Sequence, residues 1–147
     1  MNVVSSLALA VTVGWLAGCS TIPDSQIANV PLNATQENAG HIAQATVIPG
    51  SGETQFWVYV AGVPQGSSLP GRLTSYLYTG SCQSLGATPA YDMNQGPNGR
   101  FYTYQSSQYF WKSAPISTEA LRAGKYVLVV RENSADGNQN IYCGNLG

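Results

Sequence analysis

Apolar and polar residues alternate with a period of two along most of the chain after residue 40, as in β-strands that bury one face. Seven segments are predicted as strands: residues 42–48, 55–61, 72–79, 100–105, 108–112, 125–131 and 139–143. Residues 125–131 form a run of branched residues rather than an alternation, and are predicted to be buried in a sheet. In the second segment, Phe56, Val58 and Val60 are predicted to share one face. Trp57 and Tyr59 fall on the opposite face. Short strands of this kind predict an all-β fold.

The segments between these strands carry turn residues. Three residues, Gly50 to Gly52, predict a turn, residues 117–121 allow at most one turn of helix, and residues 80–99 predict a long irregular loop. Leu73 and Leu77 are predicted to face inward. A chain of 147 residues is long enough for one core and too short for two ordinary ones. We therefore expect a single β-sandwich domain.

The amino terminus has a different pattern. Residues 3–15 form an uncharged apolar run, too short to cross a bilayer comfortably as a permanent helix but of signal-peptide length. Leu16, Ala17, Gly18 and Cys19 follow directly, and this order resembles the lipobox of bacterial lipoproteins. The resemblance implies cleavage before Cys19 and attachment of acyl chains, such as palmitate, to that cysteine. Several acyl chains, each contributing about 0.8 kcal/mol per buried methylene, would anchor the protein on a membrane.

The neighbouring residues refine the expected location. No Lys or Arg precedes the apolar run, which departs from the usual signal peptide. Ser20 stands where an Asp would mark inner-membrane retention in enterobacterial lipoproteins, so the expected location is the outer membrane, facing the periplasm. The predicted organisation is a signal peptide over 1–18, a lipidated N-terminus and flexible tether over 19–40, and a β-sandwich over 41–147. The alternative for the apolar run is a buried core segment.

Composition excludes one class of partner. Charged residues make up 9% of the chain, against about 25% in typical soluble domains. The net charge is −1, and the six Lys and Arg residues are scattered singly from Arg72 to Arg131. Nucleic acid is therefore not an expected partner, because phosphate binding needs clustered basic residues.

Three cysteines leave two thiols once the anchor takes Cys19. Cys82 and Cys143 are expected to pair as a disulfide in an oxidising periplasm. A metal pair and a reactive thiol are the competing interpretations. Neither cysteine lies in a Cys-x-x-Cys spacing or beside a basic residue, which disfavours both alternatives.

Three stretches occur in a suggestive order: LTSYLYTGSC at 73–82, VVRE at 129–132 and IYCG at 141–144. Together they resemble the copper/zinc superoxide dismutases. The resemblance covers about residues 55–146 and implies a Greek-key β-sandwich or barrel of seven to eight antiparallel strands. It also implies a disulfide between Cys82 and Cys143.

The metal ligands of that family do not carry over. Tyr76 and Tyr78 stand where the family has a His-x-His pair, and Arg131 stands where it has a late histidine. Asn140 replaces the substrate-guiding arginine. Redox cycling of copper needs several imidazoles on one ion, and His41 is the one histidine of the chain. We therefore predict no metal and no cofactor, and expect His41 to be exposed or part of the tether.

Aromatic residues supply the candidate binding surface. Residues 101–104 and 109–111 place rings on both faces of their strands, and only one face can be core. The other could contact sugar rings, a peptide or a partner protein. The candidate surface comprises Tyr76, Tyr78, Tyr102, Tyr104, Tyr109, Trp111 and Arg131. The alternative is that the fold covers both faces.

Acidic residues give a weaker signal. Asp92, Glu119, Glu132 and Asp136 are the candidates for a carboxylate pair, but no two share an obvious strand face. The Asp-Gly-Asn run beginning at Asp136 lacks the alternating oxygen ligands of a calcium loop and predicts a turn.

Three functional hypotheses follow. The favoured one is a non-catalytic envelope lipoprotein that binds a protein, glycan or other envelope component. The second is an enzyme of unrelated chemistry that uses Tyr76, Tyr78, Asp92 and Arg131, or a degenerate metal-binding relative of the dismutases. The third is a structural or assembly lipoprotein.

Overall fold

The computed structural model describes residues 26–68, 72–95, 102–104 and 107–147. The predicted signal peptide and Cys19 lie outside these residues. The described part is all-β apart from one short helix, α1 (Thr118–Ala123), and two 3₁₀ turns. Its strands are β1 (Ala28–Ala34), β2 (Ala43–Pro49), β3 (Thr54–Val60), β4 (Thr74–Ser81), β5 (Ser84–Leu85), β6 (Tyr91–Asp92), β7 (Tyr102–Tyr104), β8 (Ser107–Ala114), β9 (Tyr126–Arg131) and β10 (Asn140–Asn145).

The strands form one antiparallel sheet that curls into a half-barrel. Its order is β5-β4-β9-β10-β1-β2-β3-β8-β7, and β6 pairs with β4. Consecutive strands β1, β2 and β3 lie side by side, whereas the chain between β3 and β4 crosses to the other half of the sheet. The curl lets the inner faces of both halves pack against each other.

The inner faces build one hydrophobic core. Inward-facing residues of β3 and β8 meet those of β4, β9 and β10 in a single cluster. Its largest fully buried side chains include Phe56, Val58, Phe110, Leu77, Leu128 and Tyr142. Each such apolar side chain contributes about 1.5–3 kcal/mol when fully buried. Leu73 and Leu77 face inward as predicted.

A second, smaller hydrophobic cluster lies on the outer face of the half of the sheet formed by β4, β9 and β10. Tyr78, Val127, Val129 and Cys143 pack there beneath Leu85 and its neighbours in the segment after β4. The sulfur atoms of Cys82 and Cys143 are 2.08 Å apart, which is disulfide distance and confirms the predicted pair. The outer surface of β9 is thus covered as well as its inner surface.

All seven predicted strands overlap observed ones, with bounds that differ by one or two residues where the structure describes them. The predicted turn of helix is α1, which begins after Ser117, whose Oγ accepts a hydrogen bond from the Ala120 amide at 3.2 Å. The loop predicted over residues 80–99 contains the two-residue strands β5 and β6. No helix within the described ranges is long and apolar enough to span a membrane.

The predicted tether was wrong from Ala28 onward. Residues 28–34 form β1, which pairs with β2 over five residues and with β10 at Asn33 and Ala34. Leu32 is 3% exposed and belongs to the core. The strand was missed because Pro31 interrupts the apolar alternation. Pro31, which cannot donate a backbone hydrogen bond, lies in the part of β1 that pairs with β2 alone.

Candidate functional site

Four aromatic side chains, three of them exposed and Tyr59 half-buried, line up on the outer face of the half formed by β2, β3 and β8. Trp57 and Tyr59 come from β3, and Tyr109 and Trp111 from β8. The strand register places Trp57 opposite Trp111 and Tyr59 opposite Tyr109. We call these four residues the aromatic platform.

The rings of the platform brace one another. The Trp57 ring centroid lies 6.0 Å from that of Trp111 and 6.4 Å from that of Tyr109. The Tyr59 and Tyr109 centroids are 4.7 Å apart. Such pairs contribute about 0.5–1.5 kcal/mol each beyond the area they bury. The rings are therefore held in place before any ligand arrives.

The platform is nevertheless open to solvent. Trp57 is 48% exposed, Tyr109 37% and Trp111 36%. Two polar residues of β2, Gln44 and Thr46, join Trp57, Tyr59 and Tyr109 around a shallow depression of about 310 Å³. This volume falls at the lower end of the range for small-molecule sites.

The outward positions of the three described strands that carry or flank the platform are uncharged. The other outward positions of β2, β3 and β8 hold Gln44, Thr46, Ile48, Gln55, Ser107 and Ser113. No outward position of these three strands, all of them within the described residues, holds Lys, Arg, Asp or Glu. Glu53, in the hairpin between β2 and β3, accepts a hydrogen bond from Gln55 at 2.8 Å. The platform thus presents aromatic, amide and hydroxyl groups without formal charge.

A second group of predicted residues forms what we call the arginine cluster: Tyr76, Tyr78, Arg131 and Asn140. The Arg131 guanidinium donates from Nη2 to the Tyr78 hydroxyl and from Nε to Asn140 Oδ1, both at 2.7 Å. It also lies 4.9 Å from the centre of the Tyr76 ring, within the range of a cation–π contact. Tyr78 is buried, while Tyr76 and Arg131 are half-buried. The Nε and Nη2 groups of Arg131 are thus both hydrogen-bonded within the cluster.

Asp92 belongs to a bridge between the two halves of the sheet. It pairs with Tyr76 in register, but its Oδ1 accepts hydrogen bonds from Asn94, and the ammonium of Lys112 donates to Asn94 Oδ1 at 3.0 Å. Burial opposes ionisation of Asp92, but hydrogen bonds from Asn94 and Gln95 outweigh it and lower the pKa of the carboxyl. Burial lowers the pKa of the Lys112 ammonium. The bridge joins β4 to β8 through Asn94, which also bonds both backbone groups of Ser75.

Glu132 and Asp136 fasten the crossing between the two halves. Ser67 donates to Glu132, which is buried, and Ser68 donates its amide and hydroxyl to Asp136 at 3.0 and 2.7 Å. The Ser68 hydrogen bonds lower the pKa of Asp136. Both acids therefore hold the chain between β3 and β4 against the turn before β10. Asp136 ends a 3₁₀ turn, which confirms the turn predicted there. Glu119 is exposed on α1.

His41 is exposed and lies between β1 and β2, with Nδ1 3.2 Å from the Asn38 carbonyl oxygen. The predicted exposure of His41 is confirmed. The alternative, that His41 belongs to the tether, is wrong, because β1 precedes it in the chain. Within the described ranges no three His, Cys, Asp or Glu side chains come together as a possible metal site.

The predicted surface is thus two surfaces. Tyr109 and Trp111, on β8, belong to the platform, whereas Tyr76, Tyr78 and Arg131 belong to the arginine cluster on β4 and β9, five or six strands from β8 along the curled sheet, or about 25–30 Å. Tyr102 lies opposite Tyr109 in the register of β7 with β8, and Tyr104 lies opposite Ser107.

The prediction missed Trp57, Tyr59, Gln44 and Thr46. The alternation of residues 55–61 had already placed the first two opposite the core face, which was the available signal. Gln44 and Thr46 carried no signal, because strand order decides that β2 lies beside β3.

Comparison with protein-family models, curated proteins and solved structures found no match to this chain.

Proposed function

We propose that this protein is a lipid-anchored component of the bacterial envelope that acts as a non-catalytic binding module. The proposed anchor is the acylated Cys19, and the proposed location is the outer membrane, facing the periplasm. The proposed binding face is the aromatic platform. The observation that carries the proposal is the exposure of two tryptophans and a tyrosine, braced against one another, on one sheet face.

Exposed apolar patches of this kind mark binding sites, because water contact with large rings is unfavourable. Structural aromatic residues are better placed inward, as Phe56 and Phe110 are in the same two strands. Tyr and Trp are also the side chains most often found at the centre of binding surfaces. The platform therefore supports an interaction role more strongly than a purely structural one.

The finer fold proposal is a Greek-key arrangement similar to that of the copper/zinc superoxide dismutases, without their metal site. Support comes from the order β3-β2-β1-β10-β9-β4 and from the pair formed by Cys82 and Cys143. On the proposed resemblance, Tyr76, Tyr78 and Arg131 correspond to three of that family's ligands, and here they are hydrogen-bonded to each other or stacked. An enzyme at this cluster is the weaker proposal, since the guanidinium is already engaged.

Two measurements test the proposed lipid anchor and the proposed lack of metal-dependent catalysis. Cys19→Ser should release the protein from membranes or block its processing, measured by fractionation and by incorporation of a labelled palmitate. Unchanged attachment would contradict the anchor. Stoichiometric copper in the purified protein together with dismutase turnover would contradict the non-catalytic proposal.

The binding role is tested on the anchored protein in cells. Photo-crosslinking from position 113, at the edge of the platform, should give an envelope adduct that the double variant Trp57→Ala/Trp111→Ala loses. Ile27→Ala is the control, because Ile27 is exposed but does not line the depression. Equal crosslinking by the double variant and the wild type would refute the platform as the binding face.

A further inference from the structure

We infer that the ligand of the aromatic platform is a neutral polysaccharide. This inference rests on the proposed function and adds the class of ligand. It combines three observations on one surface: open ring faces, absence of charge among the outward positions, and polar side chains directly beside the rings.

The rings select the shape of the ligand. Trp57 has neighbours at 6.0 and 6.4 Å, with ring planes inclined to its own at 45° and 63°, so the platform is a corrugated surface rather than a deep pocket. The depression beside it is shallow and about 310 Å³. Such a surface fits an extended ligand that lays small apolar faces over successive rings. A pyranose ring offers that face through its axial C–H groups.

The polar side chains beside the rings indicate which groups the ligand carries at its edges. Thr46 donates its hydroxyl hydrogen to Asn29 Oδ1 at 2.8 Å, which leaves the Thr46 oxygen able to accept. Gln44 and Tyr109 line the depression and carry both a donor and an acceptor each. Sugar hydroxyls, which donate and accept, complement this set at the rim of a stacked ring.

The absence of charge selects against other ligands. An anionic glycan or a phosphorylated headgroup would be expected to meet Lys or Arg, and β2, β3 and β8 present none outward in the described chain. A protein partner typically brings a polar rim, and Glu53 is the one charged residue among the described β2–β3 hairpin and the outward positions of β2, β3 and β8. A neutral polyhydroxylated chain has no charge to desolvate when it contacts such a face, and its hydroxyls can pair with the polar side chains there.

The two tryptophans of the platform provide the measurement. The chain has three tryptophans, and Trp15 lies within the predicted signal peptide, so the emission of the processed protein would come from Trp57 and Trp111. The full acylated protein, held in a detergent without a sugar headgroup, is titrated with soluble glucan, mannan and xylan hexasaccharides. Polygalacturonate of matched length serves as the acidic comparison. Binding is followed by tryptophan emission and by protection from iodide quenching.

We expect at least one neutral hexasaccharide to shift the emission and reduce quenching, and polygalacturonate to do neither. Trp57→Ala should weaken that binding about tenfold, as loss of a central aromatic contact does. Gln44→Ala should weaken it less, and Ile27→Ala should leave it unchanged. Trp57→Phe, which keeps a ring, should retain most of the affinity and shows that the loss is not misfolding.

Three results would overturn the inference. The first is no response to any neutral hexasaccharide while the crosslink from position 113 persists, which would leave the proposed function standing with another ligand. The second is tighter binding of polygalacturonate. The third is a concentration-dependent dimer that Trp57→Ala dissolves, which would make a second copy of the chain the occupant.

Discussion

Adjacent residues of β3 give the sharpest stability test, because Phe56 and Trp57 point to opposite faces of the sheet. Phe56 is fully buried and contacts the core, while Trp57 is 48% exposed. Phe56→Ala should lower the free energy of unfolding by about 3–5 kcal/mol, through lost burial and the cavity left behind. Trp57→Ala should lower it by about 1–2 kcal/mol, since only partial burial and two ring contacts are lost.

Urea unfolding at neutral pH, with the disulfide oxidised, measures both variants. With a slope of about 2 kcal/mol/M, Phe56→Ala should move the midpoint down by about 2 M, and Trp57→Ala by less than about 1 M. Leu77→Ala, on the inner face of the opposite half, is the matched core control and should resemble Phe56→Ala. If Trp57→Ala destabilises the protein as much as Phe56→Ala, the Trp57 ring has a structural role, which would contradict the proposal that the platform is a binding face.

The other predictions concern the cross-link, the arginine cluster and the acid side of the stability profile. Replacing Cys82 and Cys143 by Ala should lower the free energy of unfolding by about 4 kcal/mol in the chain-entropy model, because the pair spans 61 residues; an unchanged urea midpoint would contradict this. Arg131→Lys should cost about 1 kcal/mol or more by the same assay, since one ammonium cannot reach both Tyr78 and Asn140 as the planar fork does; equal stability would refute the cluster geometry. The lowered pKa of Asp92 means that its stabilising effect is present above the unfolded value of 3.8 and is lost as pH falls through the lower folded value. Wild type should therefore exceed Asp92→Asn in stability at pH 6, and the gap should close below about pH 4; a gap that widens in acid would reverse the assigned sign.

The strands were predictable where one periodicity dominated. β3 and β9 show the two extremes: β3 alternates apolar and exposed residues, while residues 127–130 of β9 are all buried. The run of branched residues in β9 predicted that burial without indicating what covers its outer surface. The cover is the segment after β4, which folds back on β4 through β5 and β6 and is linked to β10 by the disulfide between Cys82 and Cys143, 61 residues apart in sequence.

β1 and the platform show why the rest could not be predicted. β1 owes its place to five register pairs with β2 and to Leu32 in the core, rather than to its own weak alternation around Pro31. The aromatic residues of β4 and β8 looked equivalent in sequence, yet Tyr78 is buried and Trp111 is exposed. Sequence alternation assigns a residue to a face, but the sheet order decides whether that face is covered.

Within the residues that the structure describes, the covering of the outer face is asymmetric, which supports the proposed ligand of the platform. On the β4, β9 and β10 half, the segment that contains Cys82 and Leu85 buries Tyr78 and the valines of β9. On the β2, β3 and β8 half, the described chain supplies no equivalent cover, although the rings there are larger. Leaving large rings in water has an unfavourable free energy that a covering loop would remove. In the described residues, exposed rings that contact one another beside uncharged outward positions of β2, β3 and β8 support the proposed binding of an uncharged, ring-shaped ligand.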